Sequence, residues 1–203
     1  MCSSTIQNFL NQTFSCNGNT YTTVQLAEWV SYQSYSSPYY GDVPISLIIA
    51  QWGIESGWGG ADMSVYNNPG NQYCTQGGSQ CGQEPNGIPA FCCIVDGVKA
   101  YSALLINGYP HVAHAYADGG FGQPGMQSAA VALGQGYEGS QSLSDGYCGG
   151  PSTISQSSSR IWATSQYNDG NGPGSALYDT INANDCLSNL NYVQTTNPGL
   201  PGF

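Results

Sequence analysis

Apolar residues recur at helical spacing in several stretches of the chain, and most of those stretches carry a recognisable start or stop signal. Ser4-Thr5-Ile6-Gln7 and Thr22-Thr23-Val24-Gln25 read as capping boxes, in which a hydroxyl and an amide satisfy the first free backbone N–H groups. They predict helices over residues 5–12 and 23–34. Pro44 suits the first turn of a third helix, with Ile45, Ile48, Ile49 and Trp52 as its apolar stripe and Gly57 available to end it. Between residues 66 and 93 the pattern gives way to Asn, Gly, Gln, Pro and four cysteines, which predicts a turn-rich β-lobe pinned by disulfides. Helical spacing returns at 98–105, around 127–133 and at 175–181. Residues 134–159 are Gly/Ser-rich and aperiodic, so they read as a long surface insertion held by Cys148, and residues 191–203 read as a C-terminal tail. The fold class is therefore α+β: a single, mainly helical domain over residues 1–190 with a small disulfide-braced β-lobe.

Composition narrows the partners. A chain of 203 residues can bury a sizeable core, but only 7% of its residues are charged, against about a quarter in an average soluble protein. Hydroxyls, amides and 15 tyrosines must supply the surface instead, and these groups suit a carbohydrate ligand. Lys99 and Arg160 face 12 carboxylates, for a formal charge of -10 and a pI near 4.1. Two separated cations cannot provide the basic footprint that nucleic acid or an anionic membrane surface requires. So few ion pairs leave little to lose when carboxylates are protonated, which suits acidic surroundings.

Eight cysteines without Cys-x-x-Cys or Cys/His clusters predict disulfides rather than zinc, hence an oxidising, extracellular compartment. The local pairings expected are Cys2 with Cys16 and Cys74 with Cys81. The longest apolar run, residues 43–54, is too short for a membrane span, and no basic segment leads into a hydrophobic signal. The expectation is a mature secreted chain from which any signal peptide has been removed.

Glu55 carries the clearest chemistry. It follows Trp52 by three residues and Ile48 by seven, so a helix places all three on one face. Burial against tryptophan disfavours the ionised carboxyl and keeps a proton available for a leaving-group oxygen. The alternative is a solvated helix-end glutamate beside two core tryptophans. Ser56-Gly57-Trp58-Gly59-Gly60 then supplies a tight exit and an aromatic face on which a sugar could stack. His111 and His114, with Asp118 nearby, have one possible metal spacing, but Pro110 and neighbouring glycines place them at a loop edge. Asn11-Gln12-Thr13 is a glycosylation sequon.

The run Pro44-Ile45-Ser46-Leu47-Ile48-Ile49-Ala50-Gln51-Trp52-Gly53-Ile54-Glu55-Ser56-Gly57-Trp58-Gly59 resembles the signature of the glucosaminidase family of peptidoglycan hydrolases, within the lysozyme superfamily. Tyr66-Asn67-Asn68-Pro69-Gly70-Asn71 is similar to that family's Asn-Asn-Leu-Phe-Gly element, residues 98–109 to a helix with a Tyr-x-x-x-Leu-Leu pattern, and Trp162-Ala163-Thr164-Ser165-Gln166-Tyr167 to the segment that closes its cleft. Pro69, Trp162 and Ser165 depart from the family residues. The resemblance implies a lysozyme-like domain with Glu55 as catalytic acid and no cofactor or metal. Trp58, Tyr66, Asn68, Trp162 and Tyr167 become candidate substrate contacts, and Tyr73 and Tyr101 are further aromatics for stacking or core.

A second carboxylate is the usual companion in glycoside hydrolysis. Glu84 is preferred over Asp96, because Gln83-Glu84-Pro85-Asn86-Gly87 reads as an exposed turn that could overhang the cleft, while Asp62 lies on a segment that the family pattern leads away from Glu55. The substrate's own acetamido group could replace it. The expected activity is that of a secreted, monomeric endo-β-N-acetylglucosaminidase acting on peptidoglycan or a related N-acetylated polysaccharide. A muramidase or lytic transglycosylase on the same fold, or an inactive glycan-binding coat protein, are the alternatives.

Overall fold

The computed structural model describes residues 1–37, 42–137 and 161–203. Among them the chain is α+β, with nine helices and two small two-stranded antiparallel sheets. Helix α1 (Ser4–Asn11) leads into a hairpin of β1 (Thr13–Cys16) and β2 (Asn19–Thr22), then α2 (Thr23–Ser36). Helices α3 (Ile45–Ser56) and α4 (Ala61–Ser64) precede a second hairpin, β3 (Gln80–Gln83) and β4 (Pro89–Phe91). The remainder is helical: α5 (Ile94–Gly108), α6 (Pro110–Asp118), α7 (Gly122–Gln135), α8 (Ser175–Ala183) and α9 (Asp185–Ser188). None of the described helices is long and apolar enough to cross a membrane.

The predicted helices form, with shifts at their ends. Thr22 and Gln25 make the expected reciprocal capping box on α2, whereas α1 is capped one residue earlier than expected, by the Ser3 hydroxyl accepting from the Ile6 N–H. The first hairpin has no counterpart in the sequence reading. Its signal is Asn17-Gly18, both at positive φ (51° and 79°), the conformation that a two-residue hairpin turn requires. Pro110 opens α6 from within its first turn, where its missing N–H costs nothing, so His111 and His114 lie on a helix and not on a loop edge.

Helix α3 is the centre of the molecule. Of its residues only Ile54 escapes full burial, so it is a core helix rather than a one-sided amphipathic one. Its N-terminus has no side-chain cap. Instead the Ile45 and Ser46 N–H groups donate to the carbonyls of Tyr192 and Leu190, each at 3.0 Å. At the other end Gly57 is left-handed (φ 64°), and the Trp58 ring folds back over Gly53 so closely that a Cβ there would lie 2.3 Å from it.

Residues 191–203 are therefore not a loose tail. The Phe203 ring packs on Trp29 at 4.4 Å, the Tyr21 hydroxyl donates to the Pro201 carbonyl, and Lys99 Nζ donates to Gly202 O at 2.9 Å. The predicted insertion is partly corrected too: residues 134 and 135 belong to α7, and residues 138–160, with Cys148, lie outside the described residues.

The disulfides overturn both local pairings. Cys2 joins Cys186, Cys16 joins Cys93, and Cys81 joins Cys92; Cys74 is also disulfide-bonded, though not to Cys81. Sequence proximity misleads because the hairpin carries Cys16 to the N-terminus of α5, while α1 starts beside α9. There Ser3 N–H donates to Asn184 Oδ1 at 3.0 Å. The bridges fit an oxidising, extracellular type of environment. The long loop closed by Cys16–Cys93 makes it a strong staple: replacing both residues by serine should lower unfolding free energy by roughly 2–5 kcal/mol, read from denaturant midpoints.

Candidate active site

Glu55 sits in the last turn of α3, 8% exposed, and opens into a cleft of about 220 Å³. One wall comes from the loop before β3, with Asn71, Gln72, Tyr73 and Cys74. The other comes from Leu104 and Tyr109 at the end of α5, together with Trp162, Ala163 and Gln166 from the segment before α8. Glu55 is the one carboxyl among the described residues lining it.

The carboxyl is held on both oxygens. The Tyr167 hydroxyl donates to Glu55 Oε1 at 2.5 Å, and Gln166 Nε2 donates to Oε2 and to the Ile54 carbonyl, each at 3.3 Å. Burial raises the Glu55 pKa above the ordinary value, and the Asp62 charge adds to that, while the Tyr167, Gln166 and Trp162 donors partly offset it. The negative end of the α3 dipole acts in the same sense as burial. Tyr167 and Tyr101 are fully buried, and their phenols are pushed well above the usual range, first by burial and then by Glu55. Both remain protonated donors at neutral pH. The arrangement can deliver a proton from a desolvated carboxylic acid into an aromatic- and amide-lined cleft.

Behind the cleft an aromatic row fixes the geometry. Trp52 meets Tyr101 edge-on at 5.3 Å, Tyr101 meets Trp162 at 5.6 Å, and Trp162 lies at 4.7 Å on Tyr109. The Tyr101 hydroxyl donates to Gln51 Oε1 at 2.6 Å, one turn of α3 before Glu55. Trp162 is anchored from the other side by its N–H, which donates to Leu133 O at 2.9 Å.

The other expected site residues divide sharply. Trp162 lines the cleft. Tyr167 touches Glu55 but is fully buried, so it orients the acid and does not meet a ligand. Asn68 is buried as well: its Nδ2 donates to the Gln72 and Pro89 carbonyls and its Oδ1 accepts from Gln72 N–H, so it braces the cleft wall from behind. Trp58 packs on Gly53 and edge-on against Phe9 at 5.7 Å, away from the cleft lining. Tyr66 is half-buried and also outside the lining. Among the residues that the sequence reading passed over, Gln166 and Tyr109 carried no spacing signal. Tyr73, 65% exposed at the rim, had been one aromatic among several.

Glu84 is not an exposed turn residue. It is 5% exposed and faces Asp62 rather than the cleft lining; burial and the neighbouring Asp62 carboxyl raise its pKa. Asp62, expected to lead away, thus lies close enough to act on both glutamates. Asp96 is occupied in accepting from the Ser79 N–H at 3.1 Å. No group of three His, Cys, Asp or Glu side chains arranged to hold a metal is found among the described residues. No protein-family model matches this chain, and neither the curated proteins nor the solved structures give a significant match.

Removing one donor tests the electrostatics. Tyr167→Phe deletes a hydrogen bond that favours the ionised form, so the Glu55 titration midpoint should rise, as read by carboxyl NMR. Linkage gives a second test. Glu28, Asp42, Glu55 and Glu84 all have raised pKa values, chiefly from burial, so the folded state binds more protons than the unfolded chain as pH rises from acid. Their stabilisation is complete below the ordinary values, 4.5 for the glutamates and 3.8 for Asp42, and is lost as pH rises through the raised values. Asp169, lowered by the Ser175 hydroxyl, works the other way only in stronger acid. Melting temperature should therefore be higher near pH 4 than at neutral pH; a maximum above neutrality contradicts the assignment.

Proposed function

We propose that this chain is a secreted glycoside hydrolase with a lysozyme-like domain, cleaving N-acetylated glycan strands of bacterial peptidoglycan with Glu55 as general acid. The observation that carries the reading is the Glu55 carboxyl itself: desolvated, held in place by Tyr167 and Gln166, and open to a cleft between an amide wall and an aromatic one. Its raised pKa keeps the proton available to a glycosidic oxygen up to higher pH than on an ordinary glutamate, and the sugar on the far side of the broken bond leaves as an alcohol. Trp162 and the exposed Tyr73 ring offer faces for pyranose stacking. The similarity of residues 44–59 to the glucosaminidase signature supports the same assignment, as do the disulfides and the near absence of cations.

The cleft favours one version of the chemistry. Among the described residues no second carboxylate lines the cleft, and Glu84 lies outside it. Attack on the anomeric carbon by the substrate's own acetamido oxygen needs no such residue. Glu55 protonates the leaving oxygen in the first step and, as carboxylate, takes a proton from the water that opens the cyclic intermediate in the second. Both sugars of peptidoglycan carry an acetamido group beside the anomeric carbon, so this route serves either bond, and the choice of an endo-β-N-acetylglucosaminidase cut rests on the resemblance of residues 44–59.

Glu55→Gln keeps the shape of the site but delivers no proton. It should retain sedimentation with purified cell walls while losing wall clearing by about 10²-fold or more. A reducing N-acetylglucosamine end among the released fragments supports the proposed bond. A reducing muramic acid or an anhydro-muramic end assigns the cut to a muramidase or a lytic transglycosylase instead, and binding without clearing by the unaltered chain marks an inactive glycan-binding protein.

A further inference from the structure

The sequon Asn11-Gln12-Thr13 takes no part in the cleft, whose described lining includes no residue of α1 or of the first hairpin. It spans the joint between those two elements: Asn11 is the last residue of α1 and Thr13 the first of β1. Gln12 between them is anchored inward. Its backbone N–H donates to Phe9 O at 3.1 Å, its carbonyl accepts from the Thr23 N–H at 3.1 Å, and its side-chain Nε2 donates to Gly59 O at 3.4 Å. With Gln12 tied down and the chain extended through it (φ -61°, ψ 139°), Asn11 and Thr13 are both left exposed.

This is the one Asn-x-Ser/Thr sequence in the 203 residues. A rarer acceptor pattern, Asn184-Asp185-Cys186, is closed by the fold. Asn184 Oδ1 accepts from the Ser3 N–H at 3.0 Å and its Nδ2 donates to Thr180 O at 2.8 Å, while Cys186 is bridged to Cys2. At Asn11, by contrast, a bulky group projects into solvent without displacing any of the core, which is what an N-linked oligosaccharide requires. The disulfides fit the oxidising type of compartment in which such a transfer takes place.

We propose that Asn11 is an N-glycosylation site, modified when the chain passes through a secretory compartment that holds an oligosaccharyltransferase. The donor is an oligosaccharide carried on a polyprenyl diphosphate. Asn11 Nδ2 attacks the anomeric carbon of its first sugar and forms the N-glycosidic bond, the bond from that carbon to the diphosphate oxygen breaks, and the polyprenyl diphosphate and the displaced Nδ2 proton are released. The fold leaves time for this step. Cys16, which locks the hairpin, is bridged to Cys93, 77 residues further on, so that lock cannot close until the sequon is well clear of the growing end. A glycan here also offsets a weakness of the composition. Only 7% of residues are charged, and near the pI of about 4.1 the net charge vanishes and with it the repulsion that keeps molecules apart. A hydrated, uncharged oligosaccharide does not titrate, so it keeps the chain soluble at the pH where charge does not.

The full chain, secreted behind a cleavable leader from a eukaryotic host, should carry one oligosaccharide, and amidase release should leave residue 11 as aspartate in the peptide map. Asn11→Gln and Thr13→Ala should abolish the modification, and Thr13→Ser, which preserves the sequon, should keep it. An unmodified Asn11 in the secreted, disulfide-bonded chain overturns the proposal, and so does a glycan that persists in Thr13→Ala. If a variant is not secreted, the map of the unaltered chain decides alone. Near pH 4, Asn11→Gln should precipitate at a lower concentration than the glycosylated chain, with a smaller difference at pH 7. Equal solubility near pH 4 overturns the role given to the glycan, while the peptide map still decides the site. None of these results bears on the glycosidase reading, because the site lies outside the cleft.

Discussion

A helix buried on every side has nowhere to put a charge except at its ends, and that constraint organises this molecule around α3. Its body offers apolar side chains to all its neighbours, with Trp52 and Gln51 as its largest polar-tipped members. Its first N–H groups cannot reach water, so carbonyls from residues 190 and 192 take the place of a cap. Its last turn carries Glu55, the one ionisable group on the helix, to the edge of the core. The carboxyl is left where low dielectric and the helix dipole both favour its protonated form.

The surroundings of Glu55 follow from that placement. A buried acid demands partners for its oxygens, and Tyr167 and Gln166 provide them from a segment 111 and 112 residues away. That segment is in turn held by Trp162, which is wedged on Tyr109 and tied to the end of α7. The opposite wall is held from behind by Asn68, whose amide does for the loop what a short strand would do. Side chains that might be taken for ligand contacts are thus largely used to fix the shape of the cleft. Besides the edge of the Glu55 carboxyl, the lining groups left accessible to a ligand are Asn71, Tyr73, part of Trp162, Ala163 and Gln166.

Acidity is the second organising property. Among the described residues the one ion pair joins the N-terminal amine to Asp185 at 2.8 Å, so the described part of the fold offers few salt bridges for acid to break. Four of its carboxyls, Glu28, Asp42, Glu55 and Glu84, are instead shifted by burial towards holding their protons. Acidic surroundings bring the net charge of such a chain closer to zero and favour the protonated form of these four carboxyls.

How much of this was legible in the chain depends on the range of the interaction. Residues within one helical turn of each other determined the capping box at Thr22 and Gln25, the left-handed stop at Gly57, and the placing of Glu55 on the Trp52 face, because backbone geometry alone relates them. The Asn17-Gly18 turn was equally local and equally readable. The disulfide partners were not: Cys2 finds Cys186, and Cys16 finds Cys93, only when the termini and the first hairpin are packed. Nor was the burial of Asn68, Glu84 and Tyr167, since a polar side chain looks the same in sequence whether it faces solvent or repays its desolvation with partners across the fold. Sequence settled that Glu55 would sit at the end of an apolar helix. Only the tertiary structure decided which groups would hold its proton in place, because those partners are brought to it by packing and not by spacing.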